Sequence, residues 1–168
     1  MAATTTLPKP FSSSSSSSSY QPPDDYEYDV FLSFSGEDTR KNFTDRLYHA
    51  LTKAGFRTFG DDEKIERGQY HSSLILQAIQ VSRIFLIVFS KNYASSRWCL
   101  EELVEILRCR RWSNQMVVPI FYDVSPSDMC NQFEQAFGEH GDNLSIWGRT
   151  LTEFANISRL NLESTADG

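Results

Sequence analysis

Short continuous apolar runs and stretches with an apolar residue every three or four positions take turns along this chain, and their order predicts a fold. Asp29-Val30-Phe31-Leu32-Ser33-Phe34 is rich in aromatic and β-branched residues, the composition of a buried strand. A polar turn, Ser35 to Arg40, leads into a helical pattern in which Phe43, Leu47, Ala50, Leu51 and Ala54 recur until Gly55 stops it. Phe56 to Phe59 predicts a second short strand, and a charged loop from Gly60 to Gly68 follows. Leu74, Ile75, Ala78 and Ile79 mark a second helix. Ile84 to Phe89 reads as a third strand, continuous rather than alternating, as a strand covered on both faces should be. A third helix lies within Ser90 to Arg111, with Ser95 and Ser96 as N-cap candidates and Arg108, Arg110 and Arg111 at its far end. Val117 to Tyr122 is the fourth strand. The order β-α-β-α-β-α-β predicts an α/β layered domain with a parallel sheet and right-handed crossovers. Beyond it the signal weakens. Phe133, Ala136 and Phe137 mark one short helix; Leu151, Phe154, Ala155 and Ile157 mark another, with Trp147 near its start, and no fifth strand stands out.

The ends of the chain differ from this pattern. Residues 1–27 are Thr-rich, then an unbroken serine run from Ser12 to Ser19, then Gln21-Pro22-Pro23-Asp24-Asp25. Such a segment buries too little apolar surface to offset chain entropy, so a disordered leader is expected, with the domain at 28–160 and a polar tail at 161–168. The Ser- and Thr-rich, acid-poor start of the leader suggests a plastid transit peptide, but such peptides are typically Arg-rich and the leader has no Arg, so a plain tail is the expectation. The formal charge of −6 over 168 residues, with no basic cluster beyond Arg108 to Arg111, argues against nucleic acid as a primary ligand. No apolar run reaches membrane-spanning length, and no membrane partner is expected. Cys99, Cys109 and Cys130 show no C-x-x-C spacing, and His49, His71 and His140 are scattered, so neither a disulfide scaffold nor a metal site is indicated.

Candidate chemistry concentrates in the third helix. At about 100° per residue, Leu100, Leu103, Val104 and Leu107 form one apolar arc, and Glu101 and Glu105 fall on the opposite side. Glu102 lands at the border of the arc, one turn after Trp98 and one turn before Ile106, where a carboxylate is partly desolvated. In parallel sheets of this type, sites form where loops leave the carboxyl ends of the strands. Three features converge there: the turn Ser35 to Arg40, the loop Asp61 to Gly68, and the start of the Glu102 helix. No G-x-G-x-x-G or Walker loop is present, nor a Ser-His-Asp or Cys-His constellation; Cys99 beside Trp98 reads as core packing.

Taken together the motifs resemble a plant TIR (Toll/interleukin receptor) domain of the disease-resistance type. They are Tyr28 to Phe34, Gly36-Glu37-Asp38-Thr39-Arg40 with Phe43, Thr58-Phe59, Asp61-Asp62 and Glu66-Arg67-Gly68. Val88 through Leu103 and Pro119 to Val124 with Pro126-Ser127 complete the set. The resemblance implies a flavodoxin-like fold with a parallel sheet of about five strands flanked by helices. It also implies cleavage of the nicotinamide–ribose bond of NAD in immune signalling, with Glu102 as the catalytic carboxylate. NAD would be the substrate, with no permanently bound cofactor and no metal. By the same resemblance Ser35, Gly36, Glu37, Asp38, Thr39, Arg40 and Gly68 would contact the dinucleotide. Trp98 would wall the pocket, the other reading of that residue being a core anchor. One carboxylate suffices in principle, because nicotinamide in oxidised NAD is already cationic and leaves neutral; the acid that glycosidases use on the leaving group is dispensable.

The implied partners are other TIR domains, by self-association or within TIR-containing immune receptors, and the implied compartment is the cytoplasm, with the nucleus as the alternative. The chain departs from the family pattern in four places. Ser35 stands where an Arg is common, Asp45-Arg46 stands where many members carry a Ser-His or similar pair at a self-association surface, Gly60 replaces a frequent Arg, and the region after Asp128 is shorter than usual. The Arg lost at position 35 and the shortened segment near Phe133 favour the alternative reading, a non-catalytic interaction module that binds or modulates TIR-type receptors, whereas the retained Glu102 favours the enzyme.

Overall fold

The computed structural model describes residues 26–60, 69–138 and 144–166. The expected leader, through Asp25, and the loop 61–68 lie outside the described residues. Four strands, β1 (Tyr28–Phe34), β2 (Thr58–Gly60), β3 (Ser82–Phe89) and β4 (Met116–Phe121), pair in parallel in the order β2-β1-β3-β4. About five strands were expected; four occur among the described residues, and β4 pairs only with β3. The helices are α1 (Gly36–Thr39), continued through a π-helical turn (Arg40–Thr44) into α2 (Asp45–Lys53), then α3 (Gln69–Gln80), α4 (Arg97–Ser113), α5 (Pro126–Phe137) and α6 (Leu144–Ala166). The last runs past residue 160, where the domain was expected to close, so the polar segment 161–166 has helical backbone.

Local chemistry explains most boundaries. Gly55 adopts φ +92°, and the Phe56 and Gly55 N–H groups donate to the Leu51 and Thr52 carbonyls (3.1 and 3.0 Å), a Schellman closure of α2. Ser96 caps α4 by accepting from the Cys99 N–H, and Asn114 ends it in the left-handed region at φ 52°. Ser125 and Asp128 form a reciprocal capping box at the start of α5, with Pro126 at its first position. At the other end of the sheet, Asp29 accepts from the Arg57 backbone N–H (2.8 Å) and from its guanidinium (3.0 and 3.2 Å), which fixes the β1–β2 register.

The chain passes outward from β1 to β2, returns across β1 to β3, and steps on to β4. Right-handed crossovers then place the β1–β2 connection on one face and the later connections on the other. The principal core lies on the second face. Phe31, Phe85, Ile87 and Phe89 pack there with Ile75 and Ile79 of α3, Leu100, Leu103 and Ile106 of α4, and Phe154 of α6. Phe31, Phe85, Phe89, Tyr93 and Phe154 are all but fully buried, and each contributes about 1.5–3 kcal/mol on apolar area alone. The opposite face is thinner. Val30, Leu32 and Val88 are buried, but Ile84, Leu86, Val118 and Ile120 are only half-buried, and no residue of α2 is buried.

Several helical expectations shift accordingly. Leu74 and Ala136 are exposed, and Ala50 and Ala54 of the first helical pattern face solvent. Glu105, expected on the solvent side of α4, instead turns towards α3, accepting from Gln80 of that helix (3.1 Å) and from Arg108 of its own (2.9 Å). Its neighbour Cys109 is buried, and burial followed by the Glu105 charge pushes its thiol up to about 11.

Candidate functional site

The strand order reverses between β1 and β3, and the crevice at their carboxyl ends is where this topology builds sites. Two staples hold it. Asp38 on α1 accepts from the Ser90 hydroxyl (2.5 Å), the Asn92 backbone N–H (2.7 Å) and the Asn92 side-chain amide (2.6 Å). The helix after β1 is thereby tied to the loop after β3. The second staple runs through the core. The Ser33 hydroxyl donates to Glu102 Oε2 at 2.8 Å and lies 2.8 Å from the Tyr93 hydroxyl, which is also 3.3 Å from the Cys99 carbonyl. Ser33 and Tyr93 are buried, and Glu102 is half-buried. Burial, then the Cys99 and Glu102 charges, raise the Tyr93 hydroxyl well above its usual 10.0, so it stays protonated.

The candidate dinucleotide-contacting residues separate by environment. Thr39 is fully buried, donating to the Ser35 carbonyl (3.4 Å) and accepting from Thr44 (2.5 Å); Ser35 is buried as well. The side chains of Asp38 and Thr39 are therefore occupied within the fold, and Ser35 is buried with its backbone carbonyl accepting from Thr39. Gly36, Glu37 and Arg40 are accessible. The Arg40 guanidinium lies over the Phe34 ring at 5.8 Å. It also packs on Gly36, where a Cβ would meet its NH2 nitrogen at 3.0 Å. Gly68 lies outside the described residues. Trp98 is 50% exposed, which removes the core-anchor reading and leaves an indole face one turn before Glu102. Cys99 is buried with its thiol directed at the Phe34 carbonyl (3.7 Å), the packing role expected of it.

Sequence reasoning passed over Ser33 and Tyr93. The available signal was a hydroxyl between Leu32 and Phe34 in a strand whose neighbours are buried, because such a group needs a partner. The assembled chemistry is one oriented, partly desolvated carboxylate beside two hydroxyls. That arrangement stabilises a developing positive charge or accepts hydrogen bonds from ligand hydroxyls. Among the described residues no group of three or more His, Cys, Asp or Glu could hold a metal ion, and no helix is long and apolar enough to cross a membrane.

Comparison with known proteins gives concordant matches. Residues 27–167 match the family described as TIR domain. The chain is 46% identical over 142 residues to TMV resistance protein N of Nicotiana glutinosa, covering 79% of this chain and 12% of that protein. It is 52% identical over 141 residues to disease resistance protein RUN1 of Vitis rotundifolia, covering 78% of this chain and 10% of that protein. The chain thus spans about a tenth of the length of these curated relatives. Among solved structures, the TIR domains of the activated Roq1 resistosome, which directly recognizes the pathogen effector XopQ, superpose with a TM-score of 0.68 at 47% identity. That match covers 77% of this chain and 84% of the other.

Proposed function

The chain belongs to the TIR domain family, and on that premise we propose that it cleaves oxidised NAD between nicotinamide and ribose in plant immune signalling. The observation that carries this reading is the Glu102 carboxylate, half-buried at the switch-point crevice with one oxygen held by Ser33 at 2.8 Å. The N-glycosidic bond breaks with its electron pair passing to the nicotinamide nitrogen, which leaves neutral. Positive charge develops at the ribose, and Glu102 stabilises it and orients the ribose hydroxyls. Water then adds to the anomeric carbon and its proton passes to solvent. Gly36, Glu37 and Arg40 border the dinucleotide, Gly68 is assigned as a further contact by the family resemblance, and the Trp98 indole forms one wall. The relative described in a resistosome supports a further element: this chain acts in self-association, or in association with TIR-containing receptors. The cytoplasm is the compartment that goes with this reading.

One observation favours a second reading, a non-catalytic interaction module. Ser35 is buried and offers no cation to a phosphate where the family commonly has Arg. Purified protein, with a crowding agent to promote assembly, is incubated with oxidised NAD and nicotinamide release is followed. Turnover that vanishes in Glu102→Ala supports the enzyme. Turnover that persists in the variant rejects the role of Glu102. Silence even when the chain is co-assembled with a full TIR receptor favours the interaction module.

A further inference from the structure

Ser33 carries one proton and sits 2.8 Å from two oxygens, Glu102 Oε2 and the Tyr93 hydroxyl. An ionised carboxylate only accepts, so the Ser33 proton goes to Glu102. The Ser33 oxygen is then left to accept from Tyr93, whose hydroxyl oxygen is closer to it (2.8 Å) than to the Cys99 carbonyl oxygen (3.3 Å). The directions resolve into one relay: Tyr93 O–H to Ser33, Ser33 O–H to Glu102. In such a chain each donor polarises the next. Both donors stand on immobile ground. Ser33 is in β1, which is paired on both sides, and is 1% exposed; Tyr93 is 0% exposed, with its ring edge-on to Phe89 at 5.0 Å. Glu102 sits on a different element, α4, with a flexible side chain of its own.

We propose that Ser33 and Tyr93 are positioning residues for Glu102, holding one carboxylate oxygen in place before substrate arrives so that it is not ordered during the reaction. The proposal rests on the catalytic reading of Glu102 and adds to it the origin of the carboxylate's orientation. Preorganisation of this kind acts on the transition state more than on substrate binding, so its loss appears in kcat rather than KM. A hydroxyl that merely satisfied its own burial would, when removed, change stability and leave kcat alone.

The test uses Ser33→Ala, Tyr93→Phe, the double variant and Ser33→Thr in the NAD assay, with Glu102→Ala alongside. Ser33→Ala leaves no orphaned donor, because Tyr93 can turn its proton to the Cys99 carbonyl. Its kcat is expected to fall about ten- to a hundredfold, the range for a hydrogen bond to a charged group, with KM within about threefold. Tyr93→Phe loses about three- to tenfold, and the double variant is no worse than Ser33→Ala, because Tyr93 acts only through Ser33. Ser33→Thr, which keeps the hydroxyl, recovers most of the loss. A Ser33→Ala kcat within about twofold of wild type, while Glu102→Ala is inactive, overturns the relay and leaves the catalytic reading standing; so do effects that multiply in the double variant. Turnover in Glu102→Ala, or none from assembled wild type, removes the catalytic reading instead. A crystal structure of Ser33→Ala then decides the positioning: a displaced or disordered Glu102 carboxylate supports it, and an unmoved one overturns it.

Discussion

Replacing Asp38 with Ala separates a structural role at the crevice from a role in contacting ligand. The substitution removes the acceptor for three donors, Ser90 Oγ, Asn92 N and Asn92 Nδ2. These donors are not equivalent. Ser90 is 1% exposed, so its hydroxyl is stranded, and that loss counts at about 2 kcal/mol for a hydrogen bond to a charged group. Asn92 is half-buried and regains water, so its two bonds together count for about 1 kcal/mol. The sum, about 3 kcal/mol, lowers Tm by about 6–12 °C for a chain of this size. Asp38→Asn keeps one acceptor oxygen and should show roughly half that shift. Circular dichroism melts of wild type, Asp38→Ala, Ser90→Ala and the double variant supply the assay, and the two single effects are expected to overlap strongly in the double. A Tm for Asp38→Ala within about 2 °C of wild type would refute the staple. If NAD turnover fell in that same stable variant, the Asp38 side chain would belong to the ligand rather than to the fold.

Two further outcomes follow from the titrating groups. Hydrogen bonds from the Arg57 side chain and backbone hold the Asp29 carboxyl below its ordinary 3.8. Its contribution is therefore present above that value and lost as pH falls through the lower folded value. The urea midpoint of wild type should exceed that of Asp29→Asn at pH 7 and converge with it below pH 4; a gap that stays constant across that range would contradict the assignment. Cys109, raised to about 11, exposes a thiolate fraction of roughly one in a thousand at pH 8. Iodoacetamide under native conditions should modify the half-exposed Cys130 first and leave Cys109 intact by mass spectrometry; rapid loss of Cys109 would mean that the α3–α4 contact opens.

Legibility in the sequence tracked how local each feature is. The apolar runs of β1, β3 and β4 and the glycine stop at Gly55 are properties of adjacent residues, and each was placed to within one or two positions. The border position of Glu102 depends only on helical spacing from Leu100 and Leu103, both buried as expected. The same spacing misplaced Glu105. Its partner Gln80 lies 25 residues away on α3, and a helical wheel knows nothing of the neighbouring helix. The resemblance put Asp38 and Thr39 among the dinucleotide contacts, and only the structure shows what else their side chains do: Asp38 is bonded to residues 52 and 54 positions later, and Thr39 is packed against Ser35 and Thr44. The unexpectedly thin face over α2 also escaped the pattern, since amphipathicity shows that a helix has an apolar side and not how much protein will cover it.

By itself, then, the order of residues determined the alternation of strand and helix, the parallel layering and the carboxylate most worth attention. Hydrophobic period, caps and turn chemistry act over only a few positions, so a single chain read in one direction displays them. The tertiary structure alone decided which hydroxyl holds that carboxylate and which acid is spent closing the crevice. Residues 33, 93 and 102 meet because β1 lies beside β3 and α4 packs over them. A hydrogen bond is settled within a few tenths of an ångström, and only the packed register of the sheet fixes distances that finely.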